Sequence, residues 1–255
     1  MPVLPASVRL ALWATSAYGG GVGLDEAIRL ATPDADSVDG AEARLEVWRD
    51  LGERVVLVAL VRPGDLTGLP SGPADFLAAA LEAGECVFVP GLGGALVPQV
   101  GEYGPAGDEG FLVRWVPYDC DPTPAHVLDG LSLRETEREV RQQIREATTE
   151  LEAGGSVPWG SRGLAQLAHE RVYQGRWGLP TGVTPRAAGL LALSAAMGEL
   201  ARLGLDSPDD GPTASAVETR RLTLRRLAAA GDRALTTATN VAALGLAGYR
   251  RGRDD

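Results

Sequence analysis

A helix predicted from about Thr213 to Leu246 places the strongest constraint on how this chain can fold. At about 100° per residue, its apolar and small side chains fall within one stripe roughly 100° wide. The stripe consists of Val217, Leu224, Leu227, Ala228, Gly231, Leu235, Ala238 and Ala242. The recurring small residues allow another helix to approach closely. Such a helix must bury its stripe against the rest of the chain or against a second chain.

The rest of the second half also has helical patterns and no convincing strand. Apolar residues recur at helical spacing between Leu133 and Leu151, on a segment that is otherwise rich in arginine and glutamate. A shorter helix fits Gly163 to Tyr173. Thr184 can cap a helix from Pro185 to Leu203, which is rich in alanine and leucine.

The first half mixes helices with strands. Helices are predicted at residues 5–18, 24–31, 39–51 and 73–83, several of them ending near glycine or proline. Strands are predicted at residues 54–61, 85–90, 95–100 and 111–118. The segment Gly91–Gly94 joins the second and third strands as a hairpin turn, and the alternating pattern of the fourth strand favours antiparallel pairing.

These patterns predict an α+β fold, in which a small, mostly antiparallel sheet with flanking helices is followed by an all-helical half. The proline-containing stretch from Asp119 to His126 is the preferred boundary. We therefore predict a mixed N-terminal region at residues 1–124 and a helical C-terminal region at residues 125–255.

The composition predicts a soluble protein of the cytoplasm. The chain has 255 residues and a net charge of −10, and no strictly apolar run approaches the roughly 20 residues that a membrane helix needs. Arg9 interrupts the apolar stretch near the start, which argues against a secretory signal. Two cysteines fit a reducing compartment. No membrane contact is expected.

The chain contains no lysine, so all 24 of its basic residues are arginines. This excludes Schiff-base chemistry, a pyridoxal phosphate anchor and a phosphate-loop lysine. With two cysteines and two histidines, a zinc site of these residue types alone needs all four of them together. We predict neither a cofactor nor a bound metal.

One cluster retains chemical interest, at the end of the fourth strand: Asp119, Cys120, Asp121 and His126. A thiolate paired with the imidazole could act as a nucleophile, and an aspartate could orient the ring. Alternatively, the cluster could bind a metal with His169 as a further ligand. A third interpretation is a boundary loop in which Asp121 caps a turn and His126 packs on the next helix. Cys86, inside a predicted strand, is expected to be a buried apolar residue.

Arginines on the last helix invite comparison with nucleic-acid-binding proteins. They are Arg220, Arg221, Arg225, Arg226 and Arg233. Acidic residues intervene, no aromatic residue is interleaved for base stacking, and residues 1–130 carry a net charge of −12. A solvated helix face is the expected role, and nucleic-acid binding is unlikely on these grounds.

The chain resembles an uncharacterised protein family of high-GC Gram-positive bacteria with no assigned activity. The resemblance spans about 55 residues, from 45 to 98, and rests on the segments 45–56, 62–65 and 83–98. Since the family has no assigned activity, the resemblance implies no catalytic or binding residue.

The sequence favours a non-catalytic protein that acts through protein–protein contacts of its long helices, as a homodimer or with another protein. One alternative is an enzyme or small-molecule binder that uses the cleft between the halves, with Cys120 and His126 as its groups. A second alternative is weak nucleic-acid binding by the last helix.

Overall fold

A computed structural model describes residues 4–104, 110–153, 178–207 and 213–249. Helices occupy both halves of the described chain. In chain order they are α1 (Ala6–Tyr18), α2 (Leu24–Ala31), α3 (Ala41–Asp50), α4 (Ala74–Ala83), α5 (Ala125–Asp129), α6 (Leu133–Ala153), α7 (Pro185–Asp206) and α8 (Ala214–Leu246). The predicted helix at residues 163–173 lies outside the described residues.

Five strands form one sheet in the order β1-β5-β4-β3-β2. Their bounds are β1 (Ser37–Asp39), β2 (Leu57–Leu60), β3 (Glu85–Phe88), β4 (Ala95–Tyr103) and β5 (Gly110–Tyr118). Strands β2 to β5 pair antiparallel, and β1 alone pairs parallel, with β5. The predicted α+β architecture, with a small sheet followed by a helical C-terminal part, is therefore confirmed.

The short strand β1 is the main difference from the predicted elements of the first half. Asp39 belongs to β1, whereas the sequence pattern assigned it to the start of the third helix. Gly40 separates the two with a φ of 81°, and a Cβ there would lie 2.2 Å from the carbonyl oxygen of Trp115. Glycine is therefore required where the chain leaves β1 for α3.

Helices cover both faces of the sheet. The hydroxyl of Thr15 on α1 accepts a hydrogen bond from the Val56 N–H and donates one to the Val56 carbonyl oxygen. On the opposite face, Phe76 of α4 packs against Tyr118, with ring centroids 6.1 Å apart. The residues of β2 are all buried, as expected for a strand covered on both faces.

The C-terminal helices pack tightly on one another and on the sheet. Gly231 of α8 faces Gly198 of α7. A Cβ added to Gly231 would lie 3.1 Å from the Gly198 nitrogen. The small residues of the predicted stripe therefore allow this close approach between α7 and α8. By length and hydropathy α7 could cross a bilayer, and it is the one such helix among the described residues; 44% of its most apolar stretch is buried, and it packs against α6 and α8.

Two buried polar residues of α8 connect the halves. The side chain of Asn240 accepts a hydrogen bond from the Val58 N–H at 2.8 Å and donates one to the Val58 carbonyl oxygen at 3.0 Å. Asp232 accepts hydrogen bonds from Arg62, after β2, and from Arg202 of α7. Residues of the sheet and of α8 belong to one continuous apolar core.

Candidate functional site

A cleft of about 430 Å³ lies where the sheet meets the C-terminal helices. Its described walls come from four parts of the chain: the loop after β2, the end of β3, the segment around α5, and helices α6 and α8. The apolar part of the wall consists of Phe88, Val127, Leu128, Leu131, Val140, Ala230 and Ala234. The polar part consists of Thr67, Thr123, Thr136, Glu139, Gln143, Arg233, Thr236, Thr237 and Asn240. Ligand sites commonly have this combination of an apolar surface with a few polar groups.

Two threonine hydroxyls in the wall have no hydrogen-bond partner among the described residues. The residue Thr236 is 8% exposed, and its hydroxyl oxygen is fully covered. The hydroxyl of Thr123, in the segment before α5, is also covered and unpartnered. By contrast, the Thr239 hydroxyl one turn further along α8 donates to the Leu235 carbonyl oxygen at 2.7 Å. An unsatisfied buried hydroxyl costs roughly 1–3 kcal/mol. Covered, unpartnered atoms also occur elsewhere in the described chain, at Ser7, Trp115 and Ser194 among others, and the two threonines differ from these in lying in the wall of the cleft.

The charged side chains of the described cleft wall are either ion-paired or exposed to solvent. Arg233 donates to Asp65 at 2.6 Å. A hydrogen bond from the Thr67 side chain, together with the Arg233 contacts, lowers the pKa of the Asp65 carboxyl below its ordinary value despite partial burial. The other charged residue of the described wall, Glu139, is exposed. The interior of the cleft therefore presents neutral polar groups.

The residues of the predicted cluster at the end of β5 have the following surroundings. Cys120 is half-buried, and its sulfur accepts a hydrogen bond from the Gly94 N–H at 3.1 Å. Burial raises the pKa of the Cys120 thiol, and the carboxylates of Asp121 and Asp119 add to that effect. A raised pKa lowers the thiolate fraction, whereas a nucleophilic cysteine needs a depressed pKa. His126 is exposed on α5.

The described part of the cleft wall includes neither Cys120 nor His126. From the predicted cluster region it includes Thr123, which the sequence analysis did not single out. Among the described residues, no group of three or more histidine, cysteine or acidic side chains could hold a metal. His169, proposed as a further ligand, lies outside the described residues.

Cys86 is buried within β3, and burial is the main cause that raises the pKa of its thiol. Its position matches the expectation of a small apolar core residue. Several arginines of the last helix bind within the chain: Arg226 pairs with Glu150, Arg233 with Asp65, and Arg220 donates to the Gly204 carbonyl oxygen. The two ion pairs neutralise part of the positive charge of this helix, whereas Arg220 keeps its charge and its side chain lies against α7.

Two models of one protein family match most of the chain. The N-terminal domain of the Rv1486c-like protein matches residues 7–128, and the C-terminal domain of the same protein matches residues 134–236. The chain belongs to the Rv1486c-like family. The described cleft wall takes residues from both Rv1486c-like domains, with Leu131 between the two matches and Thr237 and Asn240 just beyond the second. No curated protein and no solved structure matches the chain.

Proposed function

We propose that this member of the Rv1486c-like family binds a small molecule in the cleft between the sheet and the C-terminal helices. The observation that carries the proposal is the pair of covered, unpartnered hydroxyls in the wall of a cleft. Most of the accessible surface of that cleft is apolar, although many of its residues are polar. A volume of about 430 Å³ lies within the range of small-molecule sites. Binding there would use both domains at once.

The proposal favours binding over covalent chemistry. The described wall contains threonines, a glutamine, an asparagine, one ion-paired arginine and one glutamate, and neither a thiol nor an imidazole. Binding groups of this kind orient a ligand by hydrogen bonds. Cytoplasmic localisation remains part of the proposal, supported by two unpaired cysteines.

Action through protein–protein contacts stays a prediction, but the apolar stripe of α8 that suggested it has partners within the chain. The stripe of small and apolar residues on α8 packs against α7, and α8 also contacts α1, α6 and β2. The stripe is therefore largely occupied within the chain. The cleft, in contrast, is open to a ligand.

The proposal is tested with the neutral fluorescent probe N-phenyl-1-naphthylamine. We expect saturable binding of one probe molecule per chain, with increased fluorescence. Val127 is exposed at the cleft wall, so Val127→Trp narrows the cleft without filling the core. We expect this variant to bind the probe at least about ten-fold more weakly, which is about 1.4 kcal/mol.

The matched control is Leu222→Trp, which adds the same side chain at an exposed apolar position of α8 away from the described cleft wall. It should leave probe binding unchanged. Circular dichroism establishes that both variants are folded. Non-saturable binding, or equal affinities of Val127→Trp and the unmodified protein, would contradict the proposal.

A further inference from the structure

We propose that the ligand of the cleft is an uncharged molecule with an apolar body and a hydroxyl group, and that Thr236 determines this preference. The inference rests on the proposed function and specifies its ligand. Its starting point is the neutral interior of the cleft together with the unpartnered Thr236 hydroxyl.

An anionic ligand has no free counter-charge in the described wall. The one cation of that wall, Arg233, is already paired with Asp65 at 2.6 Å. The pair with Asp65 occupies one guanidinium nitrogen of Arg233, whose side chain is 47% exposed. An anion would therefore share this cation with the Asp65 carboxylate and with Glu139 of the same wall, and the three charges together are negative. An anion without a partner in a mostly apolar cleft loses its hydration without compensation.

A cationic ligand is disfavoured for a related reason. Glu139 is exposed, so its carboxylate remains hydrated and gains little by pairing. Apart from Arg233 and Glu139, the described wall consists of hydroxyl, amide and apolar groups, so it has no second carboxylate to hold a cation. A buried cation needs a paired charge, whereas a neutral hydroxyl needs one hydrogen-bond partner.

Thr236 can supply that hydrogen bond because its hydroxyl both donates and accepts. In the present rotamer the hydroxyl is covered, so the ligand engages it after rotation about the Cα–Cβ bond. Threonine in a helix has two accessible rotamers for this rotation. The methyl group of Thr236 lies 3.6 Å from a Cβ built on Gly68, so the side chain is at the junction of the two domains.

The test uses three compounds with one naphthalene ring and different charges: 2-naphthalenemethanol, 2-naphthoate and 2-naphthylmethylamine. Each competes with N-phenyl-1-naphthylamine at pH 7.5. We expect the neutral alcohol to displace the probe at concentrations at least about five-fold lower than either charged compound.

The variant Thr236→Val replaces the hydroxyl with a methyl group of similar shape. We expect it to weaken binding of the alcohol about five-fold, the effect of one typical hydrogen bond, and to leave the charged compounds unchanged. We also expect its thermal midpoint to rise, because a covered hydroxyl without a partner is removed. A structural perturbation would instead lower the midpoint and weaken all compounds together.

Thr239→Val is the matched control, since Thr239 is buried on the same helix but its hydroxyl is bonded to Leu235. It should lower the thermal midpoint and preserve the preference for the alcohol. Tighter or equal binding of the carboxylate or the amine would overturn the ligand class while leaving a binding cleft. An equal loss of affinity for all three compounds in Thr236→Val would overturn the role of Thr236. Absence of probe binding to the unmodified protein would refute the proposed function itself.

Discussion

Asp232 joins three parts of the chain through one carboxylate. Its two oxygens accept from Arg62 at 2.8 Å and from Arg202 at 2.9 Å, and its side chain is 4% exposed. The two guanidinium groups remain partly in water, at 41% and 39% exposure. The arrangement reduces the desolvation cost of the ion pairs, because only the shared acid is fully removed from solvent.

We expect Asp232→Ala to lower the free energy of unfolding by about 3 kcal/mol, measured by urea denaturation. The value lies at the lower end for a broken buried pair, because both arginines can recover hydration. The control Asp50→Ala removes a carboxylate from a pair whose acid is 72% exposed, and should change the stability by less than about 0.5 kcal/mol. Similar effects of the two substitutions would contradict the structural role of Asp232.

The helices α7 and α8 cross in close contact at Gly231. A Cβ on Gly231 would lie within 3.1–3.2 Å of backbone atoms of Gly198 and Ser194, and backbone cannot give way as a flexible side chain does. Small residues at this point set the distance between the two helices.

Substituting Gly231 should therefore separate these helices. We expect Gly231→Val to lower the free energy of unfolding by about 2 kcal/mol, the typical cost of overpacking. Gly189, on the exposed side of α7, has no atom within 4 Å of an added Cβ. Gly189→Ala should stabilise the protein by about 0.5–1 kcal/mol through helix propensity. Equal thermal midpoints for Gly231→Val and the unmodified protein would refute this account of the crossing.

Most elements could be predicted because their signals are local. Glycine or proline marks the end of α2 and of α4, Thr184 caps α7, Thr213 caps α8, and glycines form the turn between β3 and β4. Strand β1 and helix α5 escaped prediction because they have only three and five residues. Such segments are too short to show a period, and β1 exists only through its pairing with β5.

The cleft could not be predicted in the same way, because its residues come from separate elements. A threonine hydroxyl within a helix commonly donates a hydrogen bond to a carbonyl oxygen of the preceding turn. The Thr239 hydroxyl does so, whereas the Thr236 hydroxyl on the same helix does not. Nothing in sequence spacing distinguishes the two hydroxyls. The cluster at residues 119–126 did have a sequence signal, yet the described wall receives from it only Thr123.

At the scale of the whole molecule, a carboxylate connects the sheet to the first helix. Glu85 of β3 accepts a hydrogen bond from the Ser7 N–H at 2.8 Å, at the start of α1. Burial raises the pKa of the Glu85 carboxyl, outweighing the Ser7 hydrogen bonds and the nearby charges of Arg9 and Arg62. The folded state therefore holds the Glu85 proton more strongly than the unfolded state does.

This difference gives stability a defined dependence on pH. The pKa of a glutamate carboxyl in the unfolded state is near 4.3, and the pKa of Glu85 in the folded state is higher. As pH rises from the first pKa through the second, ionisation of Glu85 reduces the free energy of unfolding. Glu85→Gln retains an acceptor for Ser7 without the charge. We expect this variant to be more stable than the unmodified protein at pH 7.5, with the difference shrinking as pH falls toward 4.

Glu46→Gln removes one negative charge from the exposed face of α3 and is the control for net charge. Denaturant unfolding at several pH values measures both variants. The assignment of burial as the dominant effect is wrong if Glu85→Gln is less stable than the unmodified protein at pH 7.5. It is also wrong if the stability advantage of the variant grows as pH falls.

The two hydrogen bonds between Asn240 and Val58 also have a consequence for biosynthesis. Strand β2 lies at the margin of the sheet, and its partner side chain follows 182 residues later. At roughly 5–20 residues per second, a ribosome needs roughly 10–40 seconds to deliver that partner. During this interval the two backbone groups of Val58 lack the side chain that satisfies them in the folded chain, so this contact between β2 and α8 forms only after Asn240 has been synthesised.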